Sequence, residues 1–243
     1  MELLQVDPSE YRLSELEEFL SEMSVDYTLR EYKGFEVDLK GDLNPTELLE
    51  KLFWREKRWI DFPQFASLYW QMHKAELQRR FLKKFASLGS SAYQHLQARL
   101  YRTQFGFLTE YHAVILTASV FTPEGYTVWR GSALDRIGVD FQIVESATQL
   151  QYNIHIFVDS PRAWFYREKK RQIKSSDKVS GQHIDFPYTL KSGRIHSLRM
   201  LPNGFGVYTE DYVKHLLKLI KDESVYGKLQ KPMVDCSSGL LFE

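Results

Sequence analysis

A single cysteine, Cys236, stands in 243 residues, which excludes an internal disulfide framework and any zinc site built on several thiolates. No apolar run approaches the roughly 20 residues needed to span a bilayer. The opening MELLQVDPSE is acidic and has neither the basic nor the apolar region of a secretory signal, so the sequence predicts a cytoplasmic protein. GxGxxG, Walker A, HExxH, GxSxG and CxxC patterns are absent, which removes the usual marks of dinucleotide, nucleotide-phosphate, zincin, serine-hydrolase and dithiol chemistry. His183, Asp185 and His196 have no metal-ligand spacing. Seven histidines leave Ser–His or Cys–His catalysis open, although no serine occupies a nucleophile-elbow context.

Net charge is absent too, but only as an average. Residues 1–50 carry 14 acidic and 4 basic side chains, and residues 51–102 reverse this with 11 basic and 3 acidic. Residues 103–160 return to a net of −4 and residues 161–200 to +7. Any one such run is ordinarily a solvated face. Basic segments on either side of an acidic centre are the layout that a phosphate-binding surface around a cation-holding pocket requires.

What is abundant is apolar and aromatic surface, 43% and 14% of residues, the composition of a packed globular chain. Leu13, Leu16, Leu20 and Met23 lie at helical spacing, residues 26–40 read as two short strands turning at Lys33-Gly34, and Asn44-Pro45-Thr46 opens another helix. From 63 to 102 the pattern is helical with a break at residues 88–91. In that stretch Leu77, Phe81 and Phe85 share one face, and Arg79, Arg80, Lys83 and Lys84 the other. Residues 104–121 are apolar almost all round and predict a buried helix. Turn chemistry at 122–125 leads to a short strand at 126–130 and a loop over 131–138. Ser160-Pro161 opens a basic helix over 161–174. Residues 184–201 read as strands, and the helix 209–221 closes the pattern.

The clearest element pair lies at 139–158. Val139, Phe141 and Ile143 alternate with Asp140, Gln142 and Val144, and Tyr152, Ile154 and Ile156 alternate with Asn153 and His155. This predicts a β-hairpin. Pairing Glu145 with Leu150 puts Asp140 opposite His155 and Gln142 opposite Asn153, so one face collects Asp140, Gln142, Asn153 and His155. Glu110 sits within the apolar helix, where a carboxylate requires a partner, a proton or a cation. It pairs with an arginine or faces Asp140. Two carboxylates on one cation suit Mg²⁺.

A helix with a glutamate, an Asp-headed strand, a second strand and a following helix resemble the core of the PD-(D/E)XK (restriction-endonuclease-like) nuclease superfamily over residues 104–171. Gly138-Val139-Asp140 matches its first Asp. The acid-x-Lys position falls on Asn153-Ile154-His155, where neither acid nor lysine stands. The resemblance implies an α+β or α/β fold with a central mixed β-sheet flanked by helices. The expected organisation is an acidic α+β extension over 1–60 and a nuclease-like core over 61–243. It implies a Mg²⁺- or Mn²⁺-dependent DNA endonuclease of restriction or defence type, with Asp140 and Glu110 on the metal. His155, Lys169 or Lys170 would take the lysine's part, with Arg79, Arg80, Lys83, Lys84, Arg162, Arg167, Lys170, Arg171 and Lys174 on the DNA backbone. A homodimer suits the cutting of two strands. The departures at 153 and 155 equally allow a nuclease fold that binds nucleic acid without cutting it, and zero net charge allows a protein-binding role with no nucleic acid.

Overall fold

A computed structural model of the chain describes residues 3–35, 39–173, 180–189 and 196–226. In chain order the elements are β1 (Leu4–Gln5), α1 (Leu13–Glu22), α2 (Pro45–Leu49), α3 (Phe62–Arg80), α4 (Leu82–Leu88), α5 (Ala92–Phe121), β2 (Tyr126–Arg130), α6 (Ser132–Ile137), β3 (Phe141–Glu145), β4 (Gln151–Val158), α7 (Pro161–Ile173), β5 (Gln182–Tyr188), β6 (Leu198–Met200), β7 (Gly206–Tyr208) and α8 (Glu210–Tyr226). They divide into two units. One comprises Met1–Glu17, Glu110–Leu201 and Gly206–Glu243, the other Glu18–Thr109 and Pro202–Phe205.

The first unit is built on a five-stranded sheet in the order β1-β2-β3-β4-β5. The first three pairings are antiparallel and β4–β5 is parallel. A parallel neighbour needs a crossover, and α7 provides it. This is the expected α+β arrangement, a central mixed sheet flanked by helices. On one face Phe141, Ile143, Ile154, Ile184 and Phe186 are fully buried, and the Phe186 ring stacks on Tyr212 of α8 at 4.7 Å. Each such side chain contributes about 1.5–3 kcal/mol by leaving water. On the opposite face α7 packs through Trp164, whose ring meets Phe157 of β4 edge-on at 4.7 Å.

The second unit is helical. Phe53, Phe65, Tyr69, Leu77 and Leu96 form its interior, and the Tyr69 hydroxyl donates to the Leu43 carbonyl at 2.6 Å. The helix predicted over 104–121 is the second half of the longer α5, and the predicted break at 88–91 is a 3-10 turn around Gly89 at φ +57°. Two expectations fail. Residues 27–31 form a 3-10 turn rather than a strand, because the Asp26 carboxylate takes the Thr28 N–H at 2.8 Å and its hydroxyl at 2.6 Å, the local bonding that favours turns. The stretch 131–138 holds the short helix α6, closed by Gly138 at φ +74°. No helix among the described residues is long and apolar enough to cross a membrane.

Candidate active site

The β3–β4 hairpin carries the candidate site. Its ladder pairs Val144 with Gln151, Ile143 with Tyr152, Gln142 with Asn153 and Phe141 with Ile154, the register that the alternation predicts. The polar face is not a solvated one. Gln142, Asn153 and His155 are buried, and the Gln142 amide donates to Asn153 Oδ1 at 2.8 Å while Asn153 Nδ2 donates to the Ser180 carbonyl at 3.0 Å.

At Asp140 the ladder departs from plain alternation. The Asp140 N–H reaches the Ile154 carbonyl at 3.0 Å, although Ile154 already faces Phe141. Two residues oppose one, the arrangement of a β-bulge, which re-aims a side chain. The Asp140 carboxylate is thereby drawn across the hairpin, where Oδ2 accepts the Ile156 N–H at 2.5 Å.

Asp140 and His155 open onto one cleft of about 340 Å³, lined also by Asp135, Gly138, Ile156, Phe157 and, from α7, Ala163, Tyr166 and Arg167. His155 is held at both ring nitrogens. Nδ1 lies 2.8 Å from the Gly138 carbonyl, so it carries a proton there, and Nε2 lies 2.8 Å from His183 Nδ1. Arg167 donates from Nε to Asp185 Oδ1 at 2.7 Å, and both side chains are largely buried, 12% and 3% exposed.

The other expected residues fall elsewhere. Glu110 is half-buried on α5 and is not among the described residues that line the cleft. Its charge still shares a neighbour with Asp140. The Tyr208 hydroxyl is raised well above its ordinary range by burial first, then by Tyr212 and Tyr188, with Asp140 and Glu110 adding to it. Lys169 is exposed on α7 outside the lining residues, and Arg162 lies over the Tyr166 ring at 5.8 Å. In the second unit Arg79 and Arg80 both bond Glu76, and Arg80 also bonds Asp42 at 2.8 Å. Those two guanidinium groups hold the Glu76 carboxyl down to about 2. Lys83 is exposed, and Lys84 lies over the Phe35 ring at 5.3 Å. The side chains of Lys170 and Arg171, and all of Lys174, lie outside the described residues.

Of the other cleft and network residues, Asp135 carries no mark in the sequence, Tyr166 reads there only as a stacking aromatic, and the sequence sets aside His183 and Asp185 for want of metal-ligand spacing. The last two stand two apart on β5, beside Asn153 and His155 in the parallel ladder. Only that long-range pairing gives their spacing a meaning. Among the described residues no group of three or more His, Cys, Asp or Glu side chains could hold a metal. Two carboxylates on one cleft nevertheless match the donor set of a hard divalent cation that keeps water and phosphate oxygens in its remaining positions.

Comparison with known proteins finds two curated relatives and a family model. The chain is 26% identical to the type II restriction enzyme TthHB8I of Thermus thermophilus over 87% of its own length and 89% of that protein's. It is also 26% identical to the type II restriction enzyme TaqI of Thermus aquaticus, over 84% and 86% respectively. No solved structure gives a significant match. The family model for TaqI restriction endonuclease matches residues 13–195, three-quarters of the chain, and the chain belongs to that family.

Proposed function

We propose that this chain is a Mg²⁺-dependent endonuclease that hydrolyses phosphodiester bonds in DNA, of restriction type, with its centre at Asp140. The observation that carries this reading is the bulge that fixes Asp140 on a cleft shared with Asp135 and Arg167, in a chain of a restriction endonuclease family. Asp140 and Asp135 would hold the divalent cation, Mg²⁺ or Mn²⁺. When bound, that cation polarises the scissile phosphate and lowers the pKa of water.

The chain's own groups do the rest. Arg167 is anchored through Nε on Asp185, which leaves its other N–H donors to bind and orient phosphate oxygens. The superfamily's acid and lysine are replaced by Asn153 and His155, both tied into hydrogen bonds. His155 therefore acts as a positioning residue: it fixes the Gly138 carbonyl and with it the approach to Asp140. Lys169 and Arg162, exposed on α7, contact the DNA backbone outside the cleft. Glu110 in place of Asp135 is the variant of this reading favoured by the charge that it and Asp140 both exert on Tyr208. Cutting both strands calls for two such centres, which a homodimer supplies, and the cytoplasm is where the DNA is met.

The substitution of the motif acid and lysine favours a second reading, a nuclease fold that binds nucleic acid without cutting it. One experiment separates the two. Plasmid and phage DNA are incubated with the protein and Mg²⁺ or Mn²⁺, with and without chelator, beside Asp140→Ala. Discrete fragments that disappear with chelator and in the variant support the endonuclease. Salt-sensitive binding without cleavage supports the second reading.

A further inference from the structure

The second unit carries a surface that the cleft does not explain. Helix α3 buries Phe62, Phe65, Ala66, Tyr69 and Leu77. At about 100° per residue, the line opposite that face passes through Gln64, Gln71, Ala75 and Gln78, with Ser67 beside it, all of them exposed. The line holds no carboxylate. Ser67 Oγ accepts from Gln71 Nε2 at 3.3 Å, which braces the outer amide.

The chain entering α3 is basic. Residues 51–58 hold four cations, Lys51, Arg55, Lys57 and Arg58, against the single carboxylate Glu56. Lys57 takes φ +49°, a left-handed conformation that a non-glycine residue seldom adopts and that collects at functional loops. Its neighbours are pinned, since the Arg58 N–H donates to the Leu52 carbonyl at 2.8 Å and the Glu56 N–H to the Lys51 carbonyl at 3.0 Å. A trough of about 630 Å³ brings Arg58 and Trp59 of this loop together with Gln64, Ser67 and Gln71 of α3.

We propose that α3 enters the major groove of DNA and reads base edges through Gln64 and Gln71, while Lys57 and Arg58 hold the flanking phosphates. The inference rests on the endonuclease reading above and adds the element that chooses the sequence. A carboxamide presents a donor and an acceptor side by side, which matches adenine N6 and N7 in the major groove, and that groove admits one helix. Gln64 and Gln71 are separated by about 10 Å of helix, about three base-pair steps at 3.4 Å each. Arg and Lys at the helix entrance supply the sequence-independent attraction that sets register on the duplex.

The test begins with the cut site of the wild-type protein, read from its fragment ends. Cleavage is then compared on duplexes carrying that site and each single base-pair replacement of it, for wild type, Gln64→Ala, Gln71→Ala and Arg58→Gln. Binding of the same duplexes is measured across salt concentrations in an Asp140→Ala background. Each glutamine variant should lose roughly 5- to 150-fold of the preference at one A·T pair, with an unchanged melting temperature. Arg58→Gln should weaken binding to all duplexes alike and reduce the salt slope by about one. Glutamine variants that keep the wild-type preference at every position overturn the proposal, as does wild-type cleavage with no base preference. A wild-type protein that neither binds nor cuts DNA would overturn the endonuclease reading along with it.

Discussion

The Asp140 carboxylate accepts the Ile156 backbone N–H at 2.5 Å, so one side chain both closes the β3–β4 bulge and faces the cleft. These two duties can be separated. Asp140→Asn keeps an acceptor for Ile156 and removes the charge. It should fold with a melting temperature close to wild type and cut DNA about 10³-fold more slowly, since several kcal/mol of stabilisation is lost with the cation. Asp140→Ala loses both and leaves the Ile156 N–H without that acceptor. It should be destabilised by about 1–3 kcal/mol in urea denaturation as well as inactive.

The companion of Asp140 is decided by a second pair of variants. Asp135 lines the cleft and Glu110 does not. Asp135→Asn should therefore abolish the heat of Mg²⁺ or Ca²⁺ binding in calorimetry, whereas Glu110→Gln should leave it intact. The reverse result would return Glu110 to the metal and Asp135 to the surface.

Arg167 and Asp185 form a charge pair in which the acid is almost wholly buried. Removal of one member strands the other, at a cost of about 3–5 kcal/mol in comparable buried pairs. Asp185→Ala should show a loss of that order in chemical denaturation, and Arg167→Leu in the same chain should recover part of it. A double-mutant coupling near zero would mean that the two side chains are independent in solution.

Acid stability is set by a different pair. His112 is fully buried with Nε2 3.0 Å from Glu17 Oε1. Burial lowers its pKa, against the opposing pull of Glu17. The Glu17 carboxyl is lowered by its hydrogen bond with His112, an effect that burial opposes and Arg199 reinforces. Both folded values lie below the unfolded ones, so both groups stabilise at higher pH and lose that stabilisation as pH falls. The melting temperature should decline from about pH 6.5, where unfolded His112 begins to bind a proton, and decline further below about pH 4.5 through Glu17. Glu17→Gln should shrink the second decline and leave the share of other lowered carboxyls such as Glu76, measured by thermal melts across pH 3–8.

The sequence made the hairpin legible because its register is a local matter: alternation on both strands and a four-residue connection leave one pairing that buries Phe141, Ile143 and Ile154 together. The face of His155 follows from the same alternation, but the predicted Asp140–His155 pairing does not hold, because the bulge at Asp140 shows only in the ladder's hydrogen bonds. Asp135 was not legible, since α6 spans only Ser132–Ile137, too short to show a helical period. Asp185 and His183 depend on the parallel β4–β5 contact across α7, and nothing local in their own segment announces it. Alternation showed that the hairpin has a polar face but not that this face is buried: its amides are satisfied within the protein, which is what allows polar groups to be buried. Arg79 and Arg80 read as contacts to the DNA backbone, although Glu76 stands three and four residues before them, at helical pairing distance, and bonds both.

The bulge at Asp140 also gives the hairpin a fixed origin for counting. Every side chain from Phe141 to Glu145 takes its face from its distance to that point, so one residue inserted there would turn the whole strand over, with apolar groups sent toward the cleft and polar ones into the core. At the far end residues 146–149 are exposed and place no side chain in either layer. Length variation in this hairpin should therefore be confined to its tip, and that tip is the place to insert a tag or reporter without disturbing the cleft.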